Sequence, residues 1–230
     1  MYHREGDTLP REHINVRPES ESMPSREHRE ALFCALIGLL LKEGIDSARM
    51  EKQDIERNLS LLGEQLEELD MAPPIRLLLI GGGFMITQIG NRGTTEDVDV
   101  YVDIDDPLHS EQYHLFRSAI DAVTTEAKLP EMWLSDTTGD FMRLVGPIPK
   151  GKRWRQFGRS LVVYIPPLSY VLALKLVAGR EKDQKDIRAL FQRLRITKRE
   201  QAQKILDKYI TNREIQEIER VQEKLDDLFS

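Results

Sequence analysis

Asp97 and Asp99 stand one residue apart in the run Thr94-Thr95-Glu96-Asp97-Val98-Asp99-Val100. In an extended chain that spacing turns both carboxylates to the same face. Carboxylates held this close repel unless a proton or a cation lies between them, and a hard divalent ion such as Mg2+ (or Mn2+) takes oxygen ligands of this kind. Upstream, Leu77-Leu78-Leu79-Ile80 closes on Gly81-Gly82-Gly83. A strand that turns through Gly82-Gly83 into a helix presents free backbone N–H groups at the positive end of the helix dipole, where a phosphate meets no side chain. Each feature has a bland reading of its own: glycines after a strand are common punctuation, and an acidic pair can be the solvated edge of a sheet. Together they describe the two halves of a site for a metal-complexed triphosphate, with Thr94 and Thr95 able to reach phosphate or ribose oxygens.

The surrounding elements follow from apolar spacing. Ile55, Leu59, Leu62, Leu66 and Leu69 recur at three and four, the stripe of an amphipathic helix over 48–69. A helix is also expected over 29–42, and Pro73-Pro74 ends the pair. Residues 77–80 read as a buried strand and 97–103 as a strand with one apolar and one acidic face. Residues 109–127 read as a helix, 131–134 and 141–145 as weaker strands, and 161–165 as a clear strand closed by Pro166-Pro167. The remainder reads as helical: one helix to about Gly179, one to about Arg195, then two charged amphipathic ones. The expected organisation is a disordered tail (1–27), an N-terminal helical segment (28–72), a core with a small mixed sheet (73–167) and a C-terminal helical cap (168–230), an α+β class.

Composition narrows the setting. The chain has 230 residues, 31% of them charged, and a net charge of -6, so it is no polycation and any contact with nucleic acid must be local. A single cysteine, Cys34, cannot form an internal disulfide, and the apolar run around it is shorter than the roughly 20 residues a membrane span needs. The expected compartment is the cytoplasm, or the nucleus in a eukaryote, with no membrane contact. His109 and His114 lie near a helix start with no second ligand at zinc spacing.

The segment Ile80-Gly-Gly-Gly-Phe84 followed by Thr94-Thr-Glu-Asp-Val-Asp-Val100 resembles the signature of the DNA polymerase beta-like nucleotidyltransferase superfamily. A second stretch, Leu172-Ala-Leu-Lys-Leu-Val-Ala-Gly-Arg-Glu-Lys-Asp-Gln-Lys-Asp-Ile187, is similar to a helix pair of the abortive-infection toxin-type nucleotidyltransferases and their uncharacterised relatives, and Leu129 to Asp136 looks like a further shared piece. The resemblance spans about residues 75–192. It implies a nucleotidyltransferase core and an enzyme that moves a nucleoside monophosphate from ATP, GTP or CTP to an acceptor hydroxyl, on RNA such as the 3′ end of a transfer RNA or on a protein. It implies Asp97, Asp99 and Lys175 as catalytic residues, the aspartates as ligands of Mg2+ and Lys175 as the triphosphate contact that stabilises leaving pyrophosphate, with Gly82 and Gly83 as the phosphate turn and Arg180 as a further nucleotide contact. A lysine amid Leu172, Leu174, Leu176 and Val177 is otherwise an awkward charge, although it can snorkel to the surface.

One departure bears on turnover. Polymerase-like members carry a third carboxylate on a later strand, and Ser160 to Ile165, taken for that strand, has none. Asp136, Asp183 and Asp186 are candidate additional acids, the last two alternatively an ordinary solvated helix face. From Phe141 through Arg180 no acidic residue occurs, while Lys150, Lys152, Arg153 and Arg155 flank Trp154. Such a basic, aromatic loop can hold an RNA acceptor, or it is a surface hairpin. The alternative to the enzyme is a degenerate nucleotide-binding or partner-binding module, and the C-terminal helices over 196–229 are candidates for a protein contact.

Overall fold

A computed structural model of the chain describes residues 49–104 and 110–230. The expected tail, the helix over 29–42, Cys34 and His109 lie outside the described residues.

Helix α1 (Lys52–Glu68) begins where Asp54 accepts the N–H of Glu51 at 2.9 Å, satisfying a donor that the helix start leaves open. Its stripe is buried at Ile55, Leu59, Leu62 and Leu66, all fully enclosed, whereas Leu69, the last expected member, caps the helix and is exposed. Each such side chain contributes about 2 kcal/mol by leaving water. Strand β1 (Ile75–Leu79) turns through the glycines into α2 (Gly81–Phe84), continued by a π-helical turn (Met85–Ile89) that stops at left-handed Gly90, φ 72°. Then come β2 (Val98–Val102), α3 (Glu111–Glu126), β3 (Leu134–Ser135), α4 (Thr138–Val145), β4 (Lys152–Phe157) and β5 (Leu161–Ile165). The C-terminal part holds α5 (Leu168–Ala178), a 3-10 turn (Glu181–Asp183), α6 (Gln184–Leu194), α7 (Arg199–Tyr209), α8 (Arg213–Ile218) and α9 (Val221–Phe229).

The strands form one five-stranded mixed sheet in the order β3-β2-β1-β5-β4. β1 is antiparallel to β2 and parallel to β5, while β2 and β3 are parallel and β4 and β5 antiparallel. The chain is therefore of the general α+β class. One face of the sheet is apolar: Ile75, Leu77, Leu79, Val98, Val100, Leu161 and Val163 are buried. Helix α1, packed against α3, covers it closely enough that a side-chain carbon on Gly63 would meet the backbone of Phe157 in β4. The opposite face carries Asp99, Tyr101, Leu78 and Tyr164, which alternate with those core residues. Helix α4 approaches this second face, where Arg143 lies 4.9 Å over the Tyr101 ring.

The cap is organised by α5, whose Tyr170, Leu172, Ala173, Leu176 and Val177 are buried and against which α6 and α7 pack. Its C-terminus ends at left-handed Gly179, and Lys224 of α9 donates to the Val177 carbonyl at 2.6 Å. A cation at the negative end of a helix is favourable.

Three expectations are corrected. Residues 141–145 belong to a helix, because Met142 and Val145, three apart, are the buried positions while Leu144 points out. The basic stretch is not a loop: it is the edge strand β4, paired antiparallel with β5 as the alternative of a surface hairpin expects, with its side chains mostly exposed. The last segment holds three helices, since Arg220 takes a left-handed conformation between α8 and α9. No helix among the described residues is long and apolar enough to cross a membrane.

Candidate active site

Gly81, Gly82 and Gly83 are needed for three different reasons. Gly81 has φ +58° and lies directly against Asp99, so any Cβ there would fall on the Asp99 carboxylate. A Cβ on Gly82 would strike the Thr95 hydroxyl and come within 3.2 Å of Arg92 Nη1. Gly83 faces the core, with Leu79 Cδ1 at 3.2 Å and Val98 Cγ1 at 3.5 Å from the same construction. The Ile80 N–H donates to the Asp99 carbonyl at 3.0 Å, which ties the turn to the acidic strand, and the first bond of the helix runs from Phe84 to Ile80. The amides of the intervening glycines head the helix, where anions are favoured.

Thr95 is buried, and its backbone exchanges hydrogen bonds with Met50 at 2.7 and 3.0 Å. It forms a wall beside Gly82, while Thr94 stays partly exposed.

The acidic pair is left electrostatically unsatisfied. Burial pushes the Asp99 carboxyl up to about 7, and the neighbouring Asp97 charge adds to the rise, against the pull of Arg180, Lys175 and Lys182. Asp97 is raised as well, mainly by burial, with Lys182 and Arg180 opposing and Glu96 reinforcing. Arg180 and Lys182 make no hydrogen bond or ion pair among the described residues, so both remain available to a bound anion. Lys182 escaped notice in the sequence, and only its place one residue before buried Asp183 singles it out.

Lys175 is buried, 6% exposed. Its ammonium lies 2.5 Å from Asp183 and 2.8 Å from Asp186. Asp186, fully buried, also receives Asn91 at 2.7 Å and both Nε and Nη2 of Arg92 at 3.2 and 2.5 Å. Two cations and two carboxylates thus neutralise one another, and the two acids sit at the N-terminus of α6, where the helix dipole favours them. The cluster ties the loop that follows the glycine turn to the C-terminal cap. Asn91 and Arg92 were not singled out from sequence. Their partners lie 94 and 95 positions away, a separation that no local pattern displays.

The strand expected for a third carboxylate is not a neighbour of the acidic strand. β5 neighbours β1, not the acidic strand; the strand beside β2 is β3, and the residue in register with Asp99 is Ser135, whose hydroxyl lies 3.0 Å from that of Thr137. Asp136 is held by α3 through the Tyr113 hydroxyl at 2.7 Å and Arg117 at 3.3 Å. Among the described residues no group of three or more His, Cys, Asp or Glu side chains is placed to hold a metal. Asp97 and Asp99 alone form the carboxylate pair, and their oxygen donors, shared face and raised protonation fit a hard divalent cation.

The basic residues divide between two faces. A bulge between Arg153 and Arg155 puts Arg153 opposite Tyr164, whereas Lys152 pairs with Ile165 and Arg155 with Val163. Arg155 accordingly reaches Glu56 of α1 at 2.8 Å, on the far side of the sheet from Asp99. Compared with known proteins, the chain matches no family model, no curated protein and no solved structure. What this site does must therefore follow from its side chains.

Proposed function

We propose that the chain is a Mg2+-dependent nucleotidyltransferase, moving a nucleoside monophosphate from a nucleoside triphosphate to an acceptor hydroxyl on RNA, such as the 3′ end of a transfer RNA, or on a protein. The observation that carries this reading is the convergence of a glycine turn in contact with Asp99, a raised Asp97/Asp99 pair, and two cations, Arg180 and Lys182, that have no ion pair among the described residues. A structural ion cluster would be balanced, as the one around Lys175 is. The arrangement also agrees with the resemblance of these segments to the polymerase beta-like superfamily.

In this reading Asp97 and Asp99 hold the ion, which when bound neutralises phosphate oxygens and polarises the α-phosphorus. The first-turn amides of Gly82 and Gly83 receive phosphate oxygens. Arg180 and Lys182 offset the charge that gathers on departing pyrophosphate. Lys175 acts as a positioning residue: by holding Asp183 and Asp186 it fixes the turn that carries Arg180 and Lys182.

One observation favours the alternative of a binding module without turnover. Ser135 stands in register with Asp99, where a carboxylate would serve as base. Thermal stability and pyrophosphate release, measured on the same protein, separate the two. A melting temperature raised by triphosphate with Mg2+ together with pyrophosphate release supports the transferase; the same rise without release supports the module. No rise at all contradicts both.

A further inference from the structure

The sheet face that carries Asp99 continues past it. Leu78 of β1 pairs with Tyr101 of β2 on one side and with Tyr164 of β5 on the other, and Tyr164 pairs with Arg153 of β4. Directly opposed residues share a face, so these four side chains form a row from the acidic strand to the basic edge strand. Over this row lies a cleft of about 400 Å3, lined among others by Arg76, Tyr101, Lys150 and Tyr164. The Arg76 guanidinium stacks 4.3 Å over the Tyr164 ring and is held there by Asp103 at 3.1 Å. Lys150 is exposed and makes no ion pair among the described residues.

We propose that this cleft is the acceptor subsite and that its occupant is the 3′ end of a single-stranded nucleic acid, its backbone leading away over Arg153. The proposal rests on the transferase reading of Asp97 and Asp99. Rings and a stacked guanidinium on a sheet face suit bases of any identity, and cations at the rim suit the regular phosphates beyond them. Tyr101 lies two residues from Asp99, about 7 Å along a strand, which is roughly two stacked nucleotide rises. A terminal hydroxyl can thus reach the acidic pair while the preceding base rests in the cleft.

In-line displacement also favours the acceptor over the base of the triphosphate. The attacking and leaving oxygens lie on opposite sides of the phosphorus. The cations for pyrophosphate, Arg180 and Lys182, act on both Asp97 and Asp99, while the cleft opens further along β2, beside Tyr101 and Asp103. The acceptor oxygen forms a bond to the α-phosphorus, the α–β anhydride bond breaks, pyrophosphate leaves with the electron pair, and the hydroxyl proton passes to solvent.

The test compares Lys150→Glu and Tyr164→Ala with Lys152→Glu, which makes the same charge change as Lys150→Glu on a residue paired to the opposite side of the sheet. Binding of a short 5′-fluorescein-labelled single-stranded RNA is followed by anisotropy without nucleotide, and Mg2+–triphosphate binding is followed by calorimetry. Lys150→Glu and Tyr164→Ala are expected to weaken RNA binding about tenfold and Lys152→Glu less than about twofold, with triphosphate affinity unchanged in all three. Equal loss in Lys152→Glu, no RNA binding by the parent protein, or a loss of triphosphate affinity instead would overturn the proposal. RNA binding in the cleft by a protein that binds no triphosphate refutes the transferase reading, and with it the acceptor role. Pyrophosphate release without RNA binding refutes the cleft alone.

Discussion

Two charged clusters lie side by side in this protein and differ in how their charge is resolved. Around Lys175, the ammonium and the Arg92 guanidinium answer Asp183 and Asp186, every group is at least partly enclosed, and the formal charges balance. At Asp97 and Asp99 the carboxylates repel each other, burial raises both, and the nearby cations make no ion pair among the described residues. The first cluster holds two segments of chain together. The second stores an unmet demand for positive charge. In the proposed reading, Lys175, ion-paired to both acids, positions the cap, and the less conspicuous Arg180 and Lys182 meet the ligand.

Breaking the balanced cluster should have the largest effect on stability. Lys175→Met leaves two buried carboxylates sharing one guanidinium and is expected to lower stability by about 3–5 kcal/mol, read from denaturant unfolding. Asp97→Asn and Asp99→Asn should do the reverse, abolishing transfer by about a thousandfold or more while leaving the melting temperature of the ligand-free protein unchanged or raised. A thermal melt beside an activity assay checks both. If Lys175→Met were as stable as the parent and Asp99→Asn unfolded, the two clusters would have to exchange roles.

Titration sharpens the contrast. Asp99 has a folded-state value of about 7 against 3.8 for the free side chain, so folding favours its protonated form. The stability this contributes is fully present below about pH 4 and is lost as the pH rises through 7. Melting temperature in the absence of divalent ions should therefore fall across that window. Mg2+ should recover more of it at pH 8 than at pH 5, and Asp99→Asn should flatten both trends. A smaller effect is expected at Arg180, where replacement by Ala should weaken triphosphate binding about tenfold with little change in stability.

Much of this was legible in the sequence where the signal is local. The stripe of α1, the strand closing on three glycines, and Val98 and Val100 alternating with Asp97 and Asp99 all appear at their expected places, because each depends on neighbours a few residues apart. Residues 141–145 were misread since a short apolar run fits either period, and only burial of Met142 and Val145 decides. Which strand lies beside Asp99 was not legible, because strand order is a long-range property: the weak strand expected over 131–134 forms only at Leu134–Ser135, and the stronger strand at 161–165 pairs with β1. Arg92 was missed for the same reason, since an ion pair across the fold leaves no mark in the local pattern, and Lys182 because its charge comes near Asp97 only through long-range packing.

The most direct test of the central claim is incubation of the purified protein with each nucleoside triphosphate labelled at the α-phosphate, Mg2+ and total cellular RNA and protein, beside an Asp97→Asn/Asp99→Asn control. Label is expected to pass to a macromolecule with the parent protein and not with the control. Equal labelling by the two proteins, or none by the parent at any pH between 6 and 9, would contradict it.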